Sequence, residues 1–132
     1  MAILISFTTK KFDATKEAPN PINPIAGQGL LSWLRKELVK ASWQVAEPDA
    51  EDWGWYMMTQ KSGASYLVGA SGEISDGTPT TDWIVQIHKK RSLLEKLTGR
   101  NEQTDDDLLA GEIASIIRRD ASFTKVVVEK NA

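Results

Sequence analysis

The chain has 132 residues, of which 41% are hydrophobic and 26% charged, and its 16 basic and 18 acidic side chains leave a formal charge of -2. This composition predicts a single folded domain over residues 1–132, and it excludes intrinsic disorder and a global positive field that would attract nucleic acid or anionic lipid. The absence of cysteine excludes disulfides, thiolate nucleophiles and cysteine-ligated metal sites.

The N-terminal part of the sequence predicts a strand, a long loop and a helix. Ile3 to Phe7 is rich in β-branched and aromatic residues and is too short for a helix, which favours a strand. Residues 13–29 are predicted to form a Pro-rich loop, because prolines and glycines interrupt the periodicity there. From Leu30 to Ser42, apolar residues recur at helical spacing, which predicts an amphipathic helix.

The middle of the chain predicts an antiparallel meander of three strands. An acidic turn at Glu47-Pro48-Asp49-Ala50 precedes a segment from Trp53 to Gln60 in which large residues occupy both faces of a period-two pattern. Lys61-Ser62-Gly63-Ala64 predicts a hairpin turn into a return strand at Tyr66-Leu67-Val68. After a second glycine-containing loop, Trp83 to Ile87 predicts the third strand.

The C-terminal part predicts two helices and a last strand. Ser92 with Glu95 matches a capping box, and a second helix start is indicated by Thr104 with Asp107. The run Val126-Val127-Val128 then predicts a strand. The order β-α-β-β-β-α-α-β favours an α+β fold, a mostly antiparallel β-sheet with helices packed on one face.

The sequence also bears on where the protein acts. Ile3-Leu4-Ile5 lacks the basic flank and the apolar length of a signal peptide. No apolar stretch approaches the roughly 20 residues needed to cross a bilayer. We therefore expect a cytoplasmic protein without a membrane partner, either a monomer or a small homo-oligomer.

Tryptophan is the most conspicuous residue type in the sequence. Five tryptophans in a chain of this size can hardly all be fully buried, and exposed indoles are favoured at protein interfaces. Trp53 and Trp55 are two residues apart on the predicted strand, so they are expected to point to the same side. They either anchor the core or form a binding surface for a partner, and Gly54 between them suggests a bulge or a close approach by another segment.

Glu51, Asp52 and His88 are the catalytic candidates. A carboxylate held against indoles can have its pKa raised enough to act as an acid or base, and His88 is the only histidine. The simpler interpretation is that Glu51 and Asp52 belong to an acidic surface turn. Because none of the common catalytic motifs occurs, the sequence predicts no catalytic residue beyond these candidates and does not favour an enzyme.

Basic residues flank the predicted helix start at Ser92. Lys89-Lys90-Arg91 precedes it and Arg100 follows the short helix, so free helix N–H groups and cations together could bind an anion or a nucleic acid. The alternative is a solvated basic corner, and the acidic balance of the chain makes nucleic acid an unfavoured partner. No acidic cluster matches a calcium loop, so neither a metal nor a cofactor is predicted.

Five segments and one tryptophan taken together carry a resemblance to known proteins. They are Trp33-Leu34, Glu51-Asp52-Trp53-Gly54-Trp55, Tyr66-Leu67-Val68-Gly69, Trp83, Arg91-Ser92-Leu93-Leu94 and Leu97-Thr98-Gly99-Arg100. From about residue 30 onward the chain resembles a family of small stand-alone bacterial proteins that has no assigned activity. The resemblance implies that the acidic tryptophan strand and the Arg-Ser-Leu-Leu helix start belong to one shared design.

Three functions follow as hypotheses. The first is a non-enzymatic binding or regulatory module that meets a protein partner through Trp53, Trp55 and the adjacent acids. The second is a small enzyme or ligand-binding protein, which requires Glu51, Asp52 and His88 to converge on one pocket. The third is anion or nucleic-acid binding. Its residues would be Lys89, Lys90, Arg91 and Arg100.

Overall fold

A computed structural model describes residues 2–73, 81–91, 93–99, 103 and 107–131. Within these ranges the chain forms eight strands and three helices. The strands are β1 Ala2–Thr8, β2 Ile25–Ala26, β3 Gln44–Val45, β4 Asp49–Glu51, β5 Gly54–Lys61, β6 Ala64–Glu73, β7 Asp82–Lys90 and β8 Thr124–Asn131. The helices are α1 Gln28–Lys40, α2 Leu93–Thr98 and α3 Leu108–Arg118.

The strands form one antiparallel sheet in the order β3-β5-β6-β7-β1-β8, with β2 added to β6 and β4 added to β5. The hairpin between β5 and β6 has a two-residue loop, Ser62 and Gly63, with φ angles of 51° and 82°. Two positive φ angles give the turn a twist that matches that of the strands. The predicted α+β fold with a mostly antiparallel sheet is confirmed.

The two faces of the sheet have different environments. One face carries the hydrophobic core, formed by alternate strand residues such as Ile5, Val68 and Val85 together with the buried sides of α1 and α3. We call the opposite side the outer face. Side chains that point to it include Leu4, Tyr56, Met58, Leu67, Ile84, Gln86 and Val127.

Both long helices are capped at the N-terminus by a carboxylate from a residue that precedes the helix. Oε1 of Glu17 accepts hydrogen bonds from the backbone N–H groups of Gly27 and Gln28, and Oε2 accepts one from Gly29. A carboxylate at this position satisfies amides that have no partner within the helix, and it interacts favourably with the helix dipole. The N-cap of α3 is Asp107, which accepts from the backbone of Ala110.

Several predicted boundaries differ from the observed ones. The Pro-rich loop is shorter than residues 13–29, because Ile25–Ala26 pairs with β6 and α1 begins at Gln28. The predicted acidic turn is displaced, since Asp49–Glu51 is strand β4 and the tight turn lies at Asp52 and Trp53. The turn was predicted from composition alone. Residues 49–51 form a strand instead because their backbone groups pair with β5.

At the C-terminal end the observed cap of α3 also differs from the predicted one. Asp107 itself is the N-cap, and the other predicted cap residues, Ser92 and Thr104, lie outside the described residues. Arg100 lies outside them as well. None of the helices in the described ranges is long and apolar enough to cross a membrane.

Candidate protein-binding surface

The five tryptophans divide into three buried and two half-buried side chains. Trp43, Trp55 and Trp83 are buried in the core. Trp33 is half-buried, but its ring is stacked on Phe123 with the centroids 5.0 Å apart. Trp53 is also half-buried and lies on the outer face. It is therefore the indole best placed to meet another molecule.

Trp53 and Trp55 lie on opposite faces of the sheet, so the prediction that they point to the same side is wrong. Trp55 is on β5 and is only 6% exposed, with its ring near Gly27 at the start of α1. Trp53 precedes the strand and belongs to the turn, so it does not follow the alternation of β5. Its six-membered ring lies over Gly69, where a Cβ atom would meet Cη2 and Cζ3 at 2.5 and 2.6 Å.

Gly54 makes the arrangement of the two tryptophans feasible. Its φ angle of 150° lies in the region that L side chains rarely adopt, and a Cβ there would collide with the carbonyl oxygen of Ala70. The backbone at Gly54 can therefore lead from the turn into β5 with Trp53 and Trp55 on opposite faces. The sequence suggested such a close approach.

The turn that carries Trp53 is held by the Pro-rich loop. We call residues Glu51 to Gly54 the Trp53 turn. Nδ2 of Asn20 donates to the carbonyl oxygens of Glu51 at 2.9 Å and Gly54 at 2.8 Å. Nδ2 of Asn23 donates to the carbonyl oxygen of Asp52 at 2.9 Å. Three of the four carbonyl groups of the turn are thus bound by loop side chains.

The side chain of Asn20 is itself held in place by hydrogen bonds within the loop. Oδ1 of Asn20 accepts hydrogen bonds from the backbone N–H groups of Ile22 and Asn23. The amide of Asn20 therefore uses both its oxygen and its nitrogen, which sets its orientation. Neither asparagine was identified as functional from the sequence, because the contacts join residues about thirty positions apart.

Carboxylates lie in the Trp53 turn and just before it. Asp49 and Asp52 are exposed and Glu51 is half-buried. Asp49 and Glu51 each accept a hydrogen bond from the next residue's backbone N–H, at 2.8 and 3.2 Å. Within the described ranges none of the three forms an ion pair. This corner of the molecule is therefore negatively charged.

Apolar side chains extend from Trp53 across the outer face. Tyr56 and Leu4 lie in the same row as Gly69, and Ile84 of the adjacent row is exposed. Among the described elements, α1 and α3 both pack against the other face. An aromatic and aliphatic strip beside carboxylates is a surface suited to binding another protein.

The second hypothesis requires a convergence that does not occur. His88 pairs with Leu67 across β6 and β7, whereas Glu51 pairs with Gly54. Three strand spacings and about four residues along the strands separate them, roughly 20 Å. Nε2 of His88 lies 2.9 Å from Oε1 of Gln86, and burial together with the charge of Lys90 lowers the pKa of His88. Glu51 and Asp52 are thus remote from the histidine.

The cations of the third hypothesis point in different directions. Nζ of Lys89 lies 5.9 Å from the ring centroid of Tyr66 on the core side, whereas Lys90 pairs across the sheet with Ser65 and is exposed. Nη2 of Arg91 donates to the backbone oxygen of Glu95 at 3.0 Å. The helix that follows has only six residues, so its dipole is small. The described cations therefore form no common anion site.

The part of the chain that the structure describes contains no group of three or more His, Asp or Glu side chains able to hold a metal ion. Comparisons with protein-family models, curated proteins and solved structures find no match. Fold and surface together thus define only a class, an antiparallel α+β protein with an aromatic and acidic surface on the open side of its sheet. The resemblance to a family of small bacterial proteins stays a prediction.

Proposed function

We propose that the protein is a non-enzymatic binding or regulatory module that engages a protein partner through the Trp53 turn and the adjacent outer face. The observation that carries the proposal is the half-buried indole of Trp53, which lies on the outer face of the sheet, away from the core. A cytoplasmic setting, expected from the sequence, is part of this proposal. Trp55 belongs to the core and has no part in it.

Preorganisation supports a binding role for the turn. Ordering a loop during association costs free energy, so a turn that is already ordered binds more tightly for the same contacts. Asn20 and Asn23 bind the turn's carbonyl groups before any partner arrives. Ile22, which lies between them in the sequence, is an exposed apolar residue of the same loop. The loop thus serves as the support of the Trp53 turn.

The chemistry of the turn favours a basic partner surface. An indole attracts Lys and Arg side chains through its negatively charged face, and Arg is common among the residues that dominate interface energies. Asp49, Glu51 and Asp52 precede Trp53 in β4 and the turn, and none of them forms an ion pair in the described ranges. We therefore expect the partner to place a Lys or Arg side chain at Trp53.

The proposal is tested with immobilised wild-type protein, Trp53→Ala, Asp52→Lys and Val39→Ala. Val39 is 49% exposed on α1, on the other side of the molecule, and provides the matched control. A protein retained from a lysate of the native cells is purified, and its affinity for each form is measured by calorimetry. Trp53→Ala should weaken binding about 30-fold, the loss typical of a central tryptophan.

The charge variant separates the acidic contribution from the aromatic one. Asp52→Lys should weaken binding, and added salt should weaken the wild-type complex, because the attraction between opposite charges is screened. Val39→Ala should bind like the wild type. Retention of the same protein equally by wild type and Trp53→Ala, with both variants folded by circular dichroism, would contradict the proposal. So would the absence of any specifically retained protein.

A further inference from the structure

Among the described residues, strand β8 forms an edge of the sheet. It is the last strand in the order, it is eight residues long, and β1 is its pairing partner. The strand at the opposite end, β3, has only two residues. A long edge strand leaves a row of backbone N–H and C=O groups free to pair with another chain.

Two adjacent valines of β8 are exposed on opposite faces of the sheet. Val127 is 47% exposed and faces outward with Ser6, whereas Val128 is 41% exposed and lies beside the buried Ile5 on the core side. A partner on one face would cover only one of them. An additional strand along the edge would cover both, because its own side chains alternate between the two faces.

We propose that β8 pairs antiparallel with β8 of a second copy of this chain, centred on Val127. In this register Val127 faces its own counterpart, Val126 faces Val128, and Lys125 faces Glu129. Both charged residues are exposed, and neither forms an ion pair in the described ranges. Opposite charges and β-branched residues across two strands stabilise their pairing.

The sequence of β8 selects this register over its neighbour. A twofold axis perpendicular to the sheet keeps the two core faces on the same side, so the register can change only in steps of two residues. The next step towards the C-terminus would place Val127 opposite Glu129 and Val126 opposite Lys130. That step loses both ion pairs and reduces the facing valine pairs from three to one. The strand is therefore complementary to itself about Val127.

A bulge limits the length of the pairing. The register between β1 and β8 shifts between Ser6 and Thr8, and Lys125 has a φ angle of 54°. The regular part of β8 therefore begins at Val126, and the four-carbon side chain of Lys125 has to reach Glu129 from the bulge. A short ladder of this kind forms a weak dimer, with an interface at the small end of the known range.

The inference does not rest on the proposed function. The Trp53 turn adjoins β5, which is four positions away from β8 in the sheet order. Two chains joined at β8 would therefore keep both Trp53 turns accessible. A variant that disrupts one surface should leave the other intact.

The experiment is a charge exchange followed by sedimentation equilibrium. Wild type, Lys125→Glu and Glu129→Lys are measured from about 10 µM to about 1 mM, a range suited to small interfaces. The wild type should dimerise, and each variant should dimerise about tenfold more weakly because like charges face each other twice. An equimolar mixture of the two variants should restore dimerisation, since each Glu then faces a Lys.

Controls keep the result specific to β8. Both substitutions are at exposed positions, and circular dichroism checks that each variant is folded. Trp53→Ala should dimerise like the wild type. The proposal is overturned if the wild type is monomeric at the highest concentration, if the single variants dimerise as strongly as the wild type, or if their mixture stays monomeric.

Discussion

The indole of Trp53 lies directly over the α-carbon of Gly69, on the face of the sheet opposite to the helices. A Cβ at position 69 would meet two ring carbons of Trp53 and also Cγ of Gln86, at 3.0 Å. Gly69 is in the middle of β6, where glycine is otherwise unfavourable. The missing side chain therefore creates the space in which the indole sits.

Substitution of Gly69 by alanine should displace Trp53. The added methyl group occupies space that the ring now fills, so the free energy of unfolding should fall by about 1–3 kcal/mol, the usual cost of overpacking. Urea denaturation measures this loss, and a change in tryptophan fluorescence reports the movement of the indole.

The double variant shows whether the loss comes from this contact. With Trp53→Ala already in place, Gly69→Ala should cost less than about 0.5 kcal/mol or should stabilise, because alanine fits a strand better than glycine. An equal cost in both backgrounds would mean that Gly69 is required for a reason other than the indole.

The elements that could be predicted from the sequence are those with local signals. The hairpin at Ser62 and Gly63 is determined by its two turn residues, and α1 shows its apolar stripe within thirteen residues. The turn before β5 lies a few residues later than predicted. Its position depends on the pairing of β4 with β5, and composition does not reveal that pairing. Because of this difference, Trp53 belongs to the turn and not to β5, and it lies on the face opposite to Trp55.

The support of the candidate site could not be predicted for a related reason. Asn20 is one polar residue among several in a loop that shows no periodicity. Its role arises only when the fold brings it to the carbonyl groups of Glu51 and Gly54. The divergence of Lys89 and Lys90 could have been anticipated, because adjacent strand residues point to opposite faces.

Asn20 should contribute more to the stability of the Trp53 turn than Asn23 does. Asn20→Ala removes two bonds to the turn and two within the loop, so we expect a loss of about 1–2 kcal/mol in the free energy of unfolding. Asn23→Ala removes one exposed side-chain bond and should cost about 0.5 kcal/mol or less. Hydrogen exchange at residues 51–54 should quicken more in Asn20→Ala. Equal exchange in the two variants would contradict the larger role assigned to Asn20.

Tyr66 should stabilise the protein through Asp107. The Tyr66 hydroxyl donates to Oδ2 of this buried N-cap at 3.1 Å, so Tyr66→Phe removes a donor from a buried carboxylate oxygen and should cost about 1–3 kcal/mol at pH 7. Tyr56→Phe, at a half-buried residue on the outer face, should cost less than about 0.5 kcal/mol. Urea denaturation of both variants makes the comparison. A loss that is equal in the two would exclude the Asp107 contact as its cause.

Alkaline pH provides a second test of the same tyrosine. Burial, reinforced by the charge of Asp107, raises the pKa of Tyr66 above its ordinary value of 10.0. A raised folded-state pKa means that this stabilisation is complete below pH 10 and declines as the pH rises above it, because only the unfolded chain ionises readily. The stability of the wild type should therefore fall faster than that of Tyr66→Phe above pH 10. Parallel curves would contradict the assignment.

Asp120 should stabilise the fold at neutral pH and lose that effect in acid. Hydrogen bonds from the side chain and backbone of Ser122, together with Lys11 at 3.0 Å, lower the pKa of Asp120 to about 2 from an ordinary value of 3.8. A lowered folded-state pKa means that the stabilisation is present above pH 3.8 and is lost as the pH falls through about 2. Asp120→Asn should therefore cost about 0.5–1 kcal/mol at pH 7, the range of an exposed charged hydrogen bond.

Thermal unfolding of wild type and Asp120→Asn between pH 7 and pH 2 measures how the stabilisation by Asp120 changes with pH. The difference in Tm should be constant down to about pH 4 and should shrink below it, because protonation of the wild-type carboxyl makes the two chains alike in charge. Asp52→Asn, at an exposed carboxylate without an ion pair in the described ranges, should leave the Tm at pH 7 unchanged. A Tm difference for Asp120→Asn that persisted undiminished at pH 2 would show that shape at this turn, rather than charge, is what Asp120 provides.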